Sequence, residues 1–242
     1  MKASDLVKEI REYCLICSSE EIRHKYSRYF REGYDAYGIS QDQMDVKKRE
    51  LLKRKELTLS VVLEAAPELF STGKYEETSF VLLLMNGHTK EFTFDIFQKI
   101  SGWFSMGINN WAHADMLGMI ILPQFVKRSI IEPNDLREWI SSPYKYQRRT
   151  VPVTLIKSLD HSARYDTLFD IITPLMNDEE RVVHQGVGWF LREAWKRNAR
   201  HTEPFLYKYK DTAPRLIFQY ATEKMSKEQR ERFRKTRRLQ EG

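Results

Sequence analysis

A chain of 242 residues with 41% apolar and 12% aromatic residues is long enough to bury a substantial core and too apolar to be disordered. Ten glycines and eight prolines count against a loop-rich β-architecture, no apolar run approaches the ~20 residues that cross a bilayer, and the opening MKASDLVKEIREY carries acidic residues where a secretion signal needs an apolar core. The net charge of +6 is lopsided: residues 181–242 carry 16 Lys/Arg against 7 Asp/Glu, a net of +9, so residues 1–180 sum to −3, which points to a polyanionic partner, nucleic acid first.

Hydrophobic spacing reads as helix almost throughout. SDLVKEIREYCLIC sets Leu6, Ile10, Tyr13, Cys14 and Cys17 on one stripe, with Ser4 as the expected N-cap. The Cys14/Cys17 pair has no second pair and no preceding strand, so it reads as two reduced thiols on a helix and not as a metal or redox motif. SEEIRHKYSRYF sets Ile22, Tyr26, Tyr29 and Phe30 on a second stripe. REGYDAYGIS is a loop turned at Gly33 and Gly38; its Tyr34 and Tyr37 either face a partner or seal the first hairpin. Ser40 caps SQDQMDVKKRELLKR, and further helices are expected over 58–71, 75–87, 91–107, 109–122, 133–141, 145–158, 162–175, 179–198 and 212–222.

Period-two alternation is nearly absent, so the fold class is all-α. Helix pairs recur about every 35–40 residues, the rhythm of helical-hairpin solenoids. The expected architecture is therefore a HEAT-like α-α superhelix forming one domain over 1–242, with an extended concave face able to hold a duplex. A basic C-terminal helix or tail is expected at about 226–242. If helical, it sets Lys227, Arg230, Arg234, Arg237 and Arg238 broadly on one side, for non-specific phosphate contacts.

Three stretches hold more polar and aromatic residues than a helical core needs. In NNWAHAD (109–115), Trp111 and Asp115 stand four apart, on one helix face with Cβ atoms about 6 Å apart. A carboxylate is costly to bury unpaired, so Asp115 is either hydrogen-bonded structurally, to Asn110 or a helix N-terminus, or part of a site. His113 lies around the helix from this pair and reads as packing. In YKYQRRT (144–150), Arg148 and Arg149 precede an apolar run. In VHQGVGWFLREAWK (183–196), Gly186 and Gly188 sit inside a helix at about 1 kcal/mol each against alanine, which lets another backbone or a ligand come close. Trp189 is either packed or functional, Trp195 reads as structural, and Arg192-Glu193 as an ion pair.

On these residues the chain resembles the bacterial DNA alkylation repair enzymes of the AlkD type, alkylpurine DNA glycosylases built from HEAT-like repeats. The resemblance runs from about Tyr26 to Arg238. It rests on Tyr37-Gly38-Ile39, on Trp111 with Asp115, on Arg148-Arg149 ahead of an apolar helix, and most specifically on Gly188-Trp189-Phe190-Leu191-Arg192-Glu193. It implies that Asp115 is the catalytic carboxylate, that Trp111 and Trp189 line the site beside the lesion's sugar, and that Arg149 contacts the DNA backbone with Arg148 as accessory. The implied activity is hydrolysis of the N-glycosidic bond of cationic N3- or N7-alkylated purines in duplex DNA, without flipping the base into a deep pocket. It needs no metal or other cofactor, and it goes with a cytoplasmic monomer.

The chain departs from the family pattern where Ala112-His113 follow Trp111 and where Arg181, Val182, Val183, His184 and Gln185 precede Trp189, a less aromatic and more basic wall. Two alternatives stand beside the glycosylase: a non-catalytic DNA-binding paralogue that recognises distorted or branched DNA, and a helical-repeat protein scaffold. The placement of Arg148, Arg149, Arg181 and the tail arginines bears on all three.

Overall fold

The computed structural model describes residues 1–159 and 164–236. Every regular element among them is helical, and none of the helices is long and apolar enough to cross a membrane. Helix packing groups the chain into two compact units, Met1–Ile130 and Ile131–Gly242. The division falls just after a helix end. There Ser129 takes a left-handed φ of 53°, and the Ile130 and Ser129 amides close back on the carbonyls of Phe125 and Val126, the Schellman pattern of a terminating helix.

The first unit contains α1 (Ala3–Ile16), α2 (Glu20–Ser27), α3 (Gln41–Leu52), α4 (Leu59–Ser71), α5 (Tyr75–Met85), α6 (Phe94–Gly102), α7 (Trp111–Met116) and α8 (Leu122–Lys127). Side-chain oxygens of Ser19, Ser40, Thr58 and Asn110 cap α2, α3, α4 and α7, satisfying amides that a helix start leaves without partners. Ser4 is not a cap: α1 begins at Ala3, and the Asp5 carboxylate accepts the Lys2 N–H at 3.0 Å. α2 ends at Ser27 and buries no residue, so Tyr29 and Phe30 fall outside the helical stripe expected of them.

α5 is buried along almost its whole length, which marks it as the central helix of the unit. It packs against α1, α3, α4 and α7. Its first turn contains two carboxylates with no exposed surface, Glu76 and Glu77. Glu76 accepts the backbone N–H groups of Tyr37 (2.9 Å), Gly38 (2.8 Å) and Ile39 (3.1 Å). Gly38 has φ +84°, and a Cβ there would lie 2.1 Å from the Ser19 carbonyl oxygen, so this turn requires glycine. Glu77 accepts the Tyr37 phenol (2.7 Å) and the Arg11 guanidinium (3.1 Å). The helix expected over 109–122 starts at Trp111 and widens into a π-turn over Leu117–Ile121 before α8. Pro123 offers no N–H to the Met119 carbonyl and crowds it, and the wider turn relieves that.

The second unit contains α9 (Lys145–Leu155), α10 (Tyr165–Ile172), α11 (Arg181–Arg197), α12 (Ala199–Tyr209), α13 (Arg215–Ala221) and α14 (Lys227–Glu231). The stretch 133–141 is helical but of the tighter 3-10 kind, and the expected helix over 162–175 begins on residues outside those described. α12 has no counterpart in the sequence reading; it is capped by Asn198, whose side chain accepts the His201 N–H.

The two glycines of α11 face different neighbours, about 200° apart on the helix. A Cβ on Gly186 would meet Arg149 and Pro152 of α9 at 3.2–3.4 Å, and one on Gly188 would meet Tyr220 and the Ile217 carbonyl of α13 at 2.5 and 2.7 Å. Close helix packing explains both. The basic tail is docked: Phe233 is buried, Thr236 N–H donates to Asp211, and α14 covers only five residues. Arg230 donates to the carbonyls of Met225 and Glu223, Arg232 pairs with Glu203 and Arg234 with Glu231. The expected alignment of Lys227, Arg230 and Arg234 on one side of a long helix is thus not formed, and Arg237 and Arg238 lie outside the described residues.

Gly188→Ala is expected to destabilise the protein by about 1–3 kcal/mol through overpacking. Gly102→Ala, at a helical glycine with nothing within 4 Å of the added Cβ, should instead stabilise it by up to about 1 kcal/mol. Denaturant unfolding of the two variants checks both signs.

Candidate active site

In the first unit the sequence-predicted pair is present on one helix. Trp111 is the first residue of α7 and Asp115 stands one turn on, half-buried. Trp111 is 37% exposed, yet it is held on two sides. Its indole N–H donates to the Tyr29 carbonyl at 3.1 Å, and its ring stacks on Phe30 at 5.4 Å between centroids with the planes 23° apart. Phe30 in turn stacks on Tyr34 (4.5 Å) and meets Tyr75 edge-on (5.5 Å). A half-exposed indole fixed in this way presents one face outward at little further entropic cost on binding.

The start of α7 is set by a buried imidazole. Asn110 accepts the His113 N–H through Oδ1 (3.0 Å), so its amide nitrogen faces His113 Nδ1 at 2.7 Å as donor. The ring proton therefore sits on Nε2, which points at the Tyr75 carbonyl (3.1 Å) and Ser79 Oγ (2.9 Å). Ser79 Oγ donates to the same carbonyl, and the imidazole stacks on Tyr75 at 4.6 Å. His113 is thus packing, as its spacing indicates, and it ties α7 to α5. Burial pushes its pKa down to about 3 against an ordinary 6.5, the bond to the Tyr75 carbonyl opposing the shift. Of the two readings of the loop tyrosines, the structure selects the sealing one: Tyr34 stacks inward on Phe30, and Tyr37 donates to Glu77. Burial pushes both phenols up. Among the described residues, no cluster of three His, Cys, Asp or Glu side chains is placed to hold a metal ion.

In the second unit, Trp189 lies half-buried on α11. Among the described residues no ring stacks on it and no acceptor takes its indole N–H. The α11 side chains around it are engaged: Gln185 donates to Tyr220 Oη (2.8 Å), Arg192 pairs with Glu193 and Glu223, and the Trp195 indole donates to Glu203. Arg149 is 6% exposed, with its stem against Gly186 and its guanidinium donating to the Val182 carbonyl at 2.7 Å. Arg148 grips both carboxylate oxygens of Asp178 (2.6 and 3.2 Å) and the Ser142 carbonyl (2.8 Å). Arg148 thus joins α9 to the segment that leads into α11 and Arg149 joins it to the first turn of α11, while Arg181 is exposed.

Sequence spacing missed Phe30, Tyr75, Ser79 and Asn110, which hold the Trp111 helix. Their signals were weak: an aromatic that reads as part of a helical stripe, a tyrosine and a serine in an apolar helix, and an Asn that reads only as a hydrogen-bond partner for Asp115.

Because the neutral imidazole is the folded form, the stability from His113 is complete above pH 6.5 and is lost as pH falls from there toward 3. Between pH 6.5 and pH 5, above the main carboxylate range, the loss should be on the order of 1–2 kcal/mol. His113→Gln cannot be protonated and should lose this part of the pH dependence, as read by denaturant unfolding at each pH.

The model of the DNA alkylation repair enzyme family matches residues 17–225. A solved structure described as a predicted DNA alkylation repair enzyme from Enterococcus faecalis superposes with a TM-score of 0.71 at 16% identity, covering 87% of this chain and 97% of that one. The structure of smu.31 from Streptococcus mutans UA159 superposes with a TM-score of 0.57 at 15% identity, covering 76% of this chain and 94% of that one. At these identities the two structures speak to the fold alone. No curated protein matches. With its family model spanning the fold from the end of α1 to the turn after α13, the chain belongs to the DNA alkylation repair enzyme family.

Proposed function

We propose that this protein is a DNA glycosylase that hydrolyses the N-glycosidic bond of cationic N3- or N7-alkylated purines in duplex DNA, the first step of base excision repair. Family membership supports the repair role. The observation that supports the chemistry best is the pairing of a fixed, half-exposed indole, Trp111, with the half-buried carboxylate of Asp115 one turn along the same helix.

A purine alkylated at N3 or N7 carries a fixed positive charge. When its bond to C1′ breaks, the electron pair goes to the base, which leaves neutral, and positive charge moves to the sugar. A carboxylate near C1′ stabilises that charge and orients the water that attacks there, whose proton passes to the carboxylate or to solvent. The indole face packs on the sugar and favours cationic character, by about 0.5–2 kcal/mol. In this reading Asp115 is the carboxylate and Trp111 the indole. Trp189 is assigned contact with the lesion nucleotide on the resemblance, supported by a half-buried ring that no other ring covers among the described residues. The phosphate grip that the resemblance gives to Arg149, with Arg148 beside it, requires each to exchange a present protein partner for DNA.

The test is single-turnover release of 7-methylguanine from a methylated duplex. Native protein should release the base, and Asp115→Asn should be slower by about 100-fold or more. Native protein that binds the duplex and releases nothing would overturn the glycosylase in favour of a non-catalytic DNA-binding paralogue.

A further inference from the structure

The first unit contains a set of cations that the site has not yet used. The stretch from Ile22 to Glu32, IRHKYSRYFRE, holds Arg23, Lys25, Arg28 and Arg31 against a single acidic residue, Glu32. Arg23 is tied to Glu20. Lys25, Arg28 and Arg31 are exposed, and Arg28 lies over the ring of Tyr29 at 5.1 Å, itself 55% exposed. This turn is fixed to the candidate site, because Tyr29 supplies the carbonyl that takes the Trp111 indole N–H and Phe30 supplies the ring on which Trp111 stacks. Arg28 and Arg31 therefore flank the two residues that hold Trp111.

We infer that the Arg28–Arg31 turn is the phosphate-binding element of the first unit, with Arg28 and Arg31 gripping the DNA backbone beside the nucleotide that Trp111 touches and Lys25 adding charge behind them. The inference rests on the proposed function. Its ligand is the phosphodiester backbone, without sequence preference, since guanidinium contacts to phosphate position a duplex and do not read it. Exposed guanidiniums that pair with no carboxylate among the described residues are the cheaper choice for this work. Arg148 would have to leave a bidentate partner and Arg149 a buried setting, and the docked tail has spent Arg230, Arg232 and Arg234 on protein acceptors. The position also suits the mechanism: a grip on the backbone one residue from the Trp111 support fixes the sugar relative to Asp115.

The experiment is a salt series of binding to a fluorescein-labelled, unmodified duplex by anisotropy, comparing native protein, Arg28→Gln/Arg31→Gln, and Lys208→Gln as an exposed control in the second unit. Each phosphate contact contributes about 0.9 to the slope of log K against log salt. The double variant should therefore lose about 1–2 units of slope and bind at least several-fold more weakly at low salt, while Lys208→Gln matches native. Because both side chains are exposed, its melting temperature should equal that of native protein. A double variant with native slope and affinity overturns this inference and leaves the glycosylase standing. Native protein that fails to bind the duplex at low salt overturns both.

Discussion

The carboxylate of Glu76 fixes much of the first unit. It is buried and accepts three consecutive backbone N–H groups, from Tyr37, Gly38 and Ile39. Without it those amides would lack partners in an apolar setting, at about 1–3 kcal/mol for each. With it, the loop between α2 and α3 is locked to the start of α5. Glu77, the next residue, draws in Tyr37 and Arg11. Tyr75, the residue before, offers its amide to the Asp35 carbonyl and its ring to Phe30, Tyr34 and His113. Three consecutive residues thus fix a loop, a helix and the aromatic stack that supports Trp111.

The same constraint explains why the candidate site lies where it does. α7 is short, six residues before a π-turn, and a helix of that length has little intrinsic stability. It holds its place through the Asn110 cap, the neutral His113 bridge to α5, and the stack of Trp111 on Phe30. The charge that would balance a developing cation and the ring that would face it are mounted on an element whose orientation is set from outside. Such preorganisation is what electrostatic catalysis requires.

Much of the fold was legible in the sequence because helix periodicity and capping are local. Ser40 and the 58–71 helix stand where pattern places them, and the four-residue spacing of Trp111 and Asp115 marked the candidate site. What was not legible depends on partners far along the chain. The stack under Trp111 joins residues 30, 34 and 75 to 111, and no window contains them. Arg148 reads as a free cation until Asp178, thirty residues on, takes its guanidinium. Gly186 and Gly188 announce a close approach, but only the structure says that α9 and α13 make it. Tyr37-Gly38-Ile39, which as a motif says nothing on its own and counts only beside the other three stretches, is the nest that Glu76 fills. α12 was missed because Pro204 lies inside it, where a proline usually ends a helix.

The central claim is that DNA is engaged at the Trp111 helix. The most direct measurement follows the five indole N–H resonances in an NMR titration with an alkylated duplex. Trp103 and Trp139 are buried, and the Trp195 indole is bonded to Glu203, so these three serve as internal references. The account predicts that the Trp111 resonance moves on binding, and moves further with alkylated than with unmodified duplex, while the references stay nearly fixed. A Trp111 resonance unchanged at saturating duplex would contradict it.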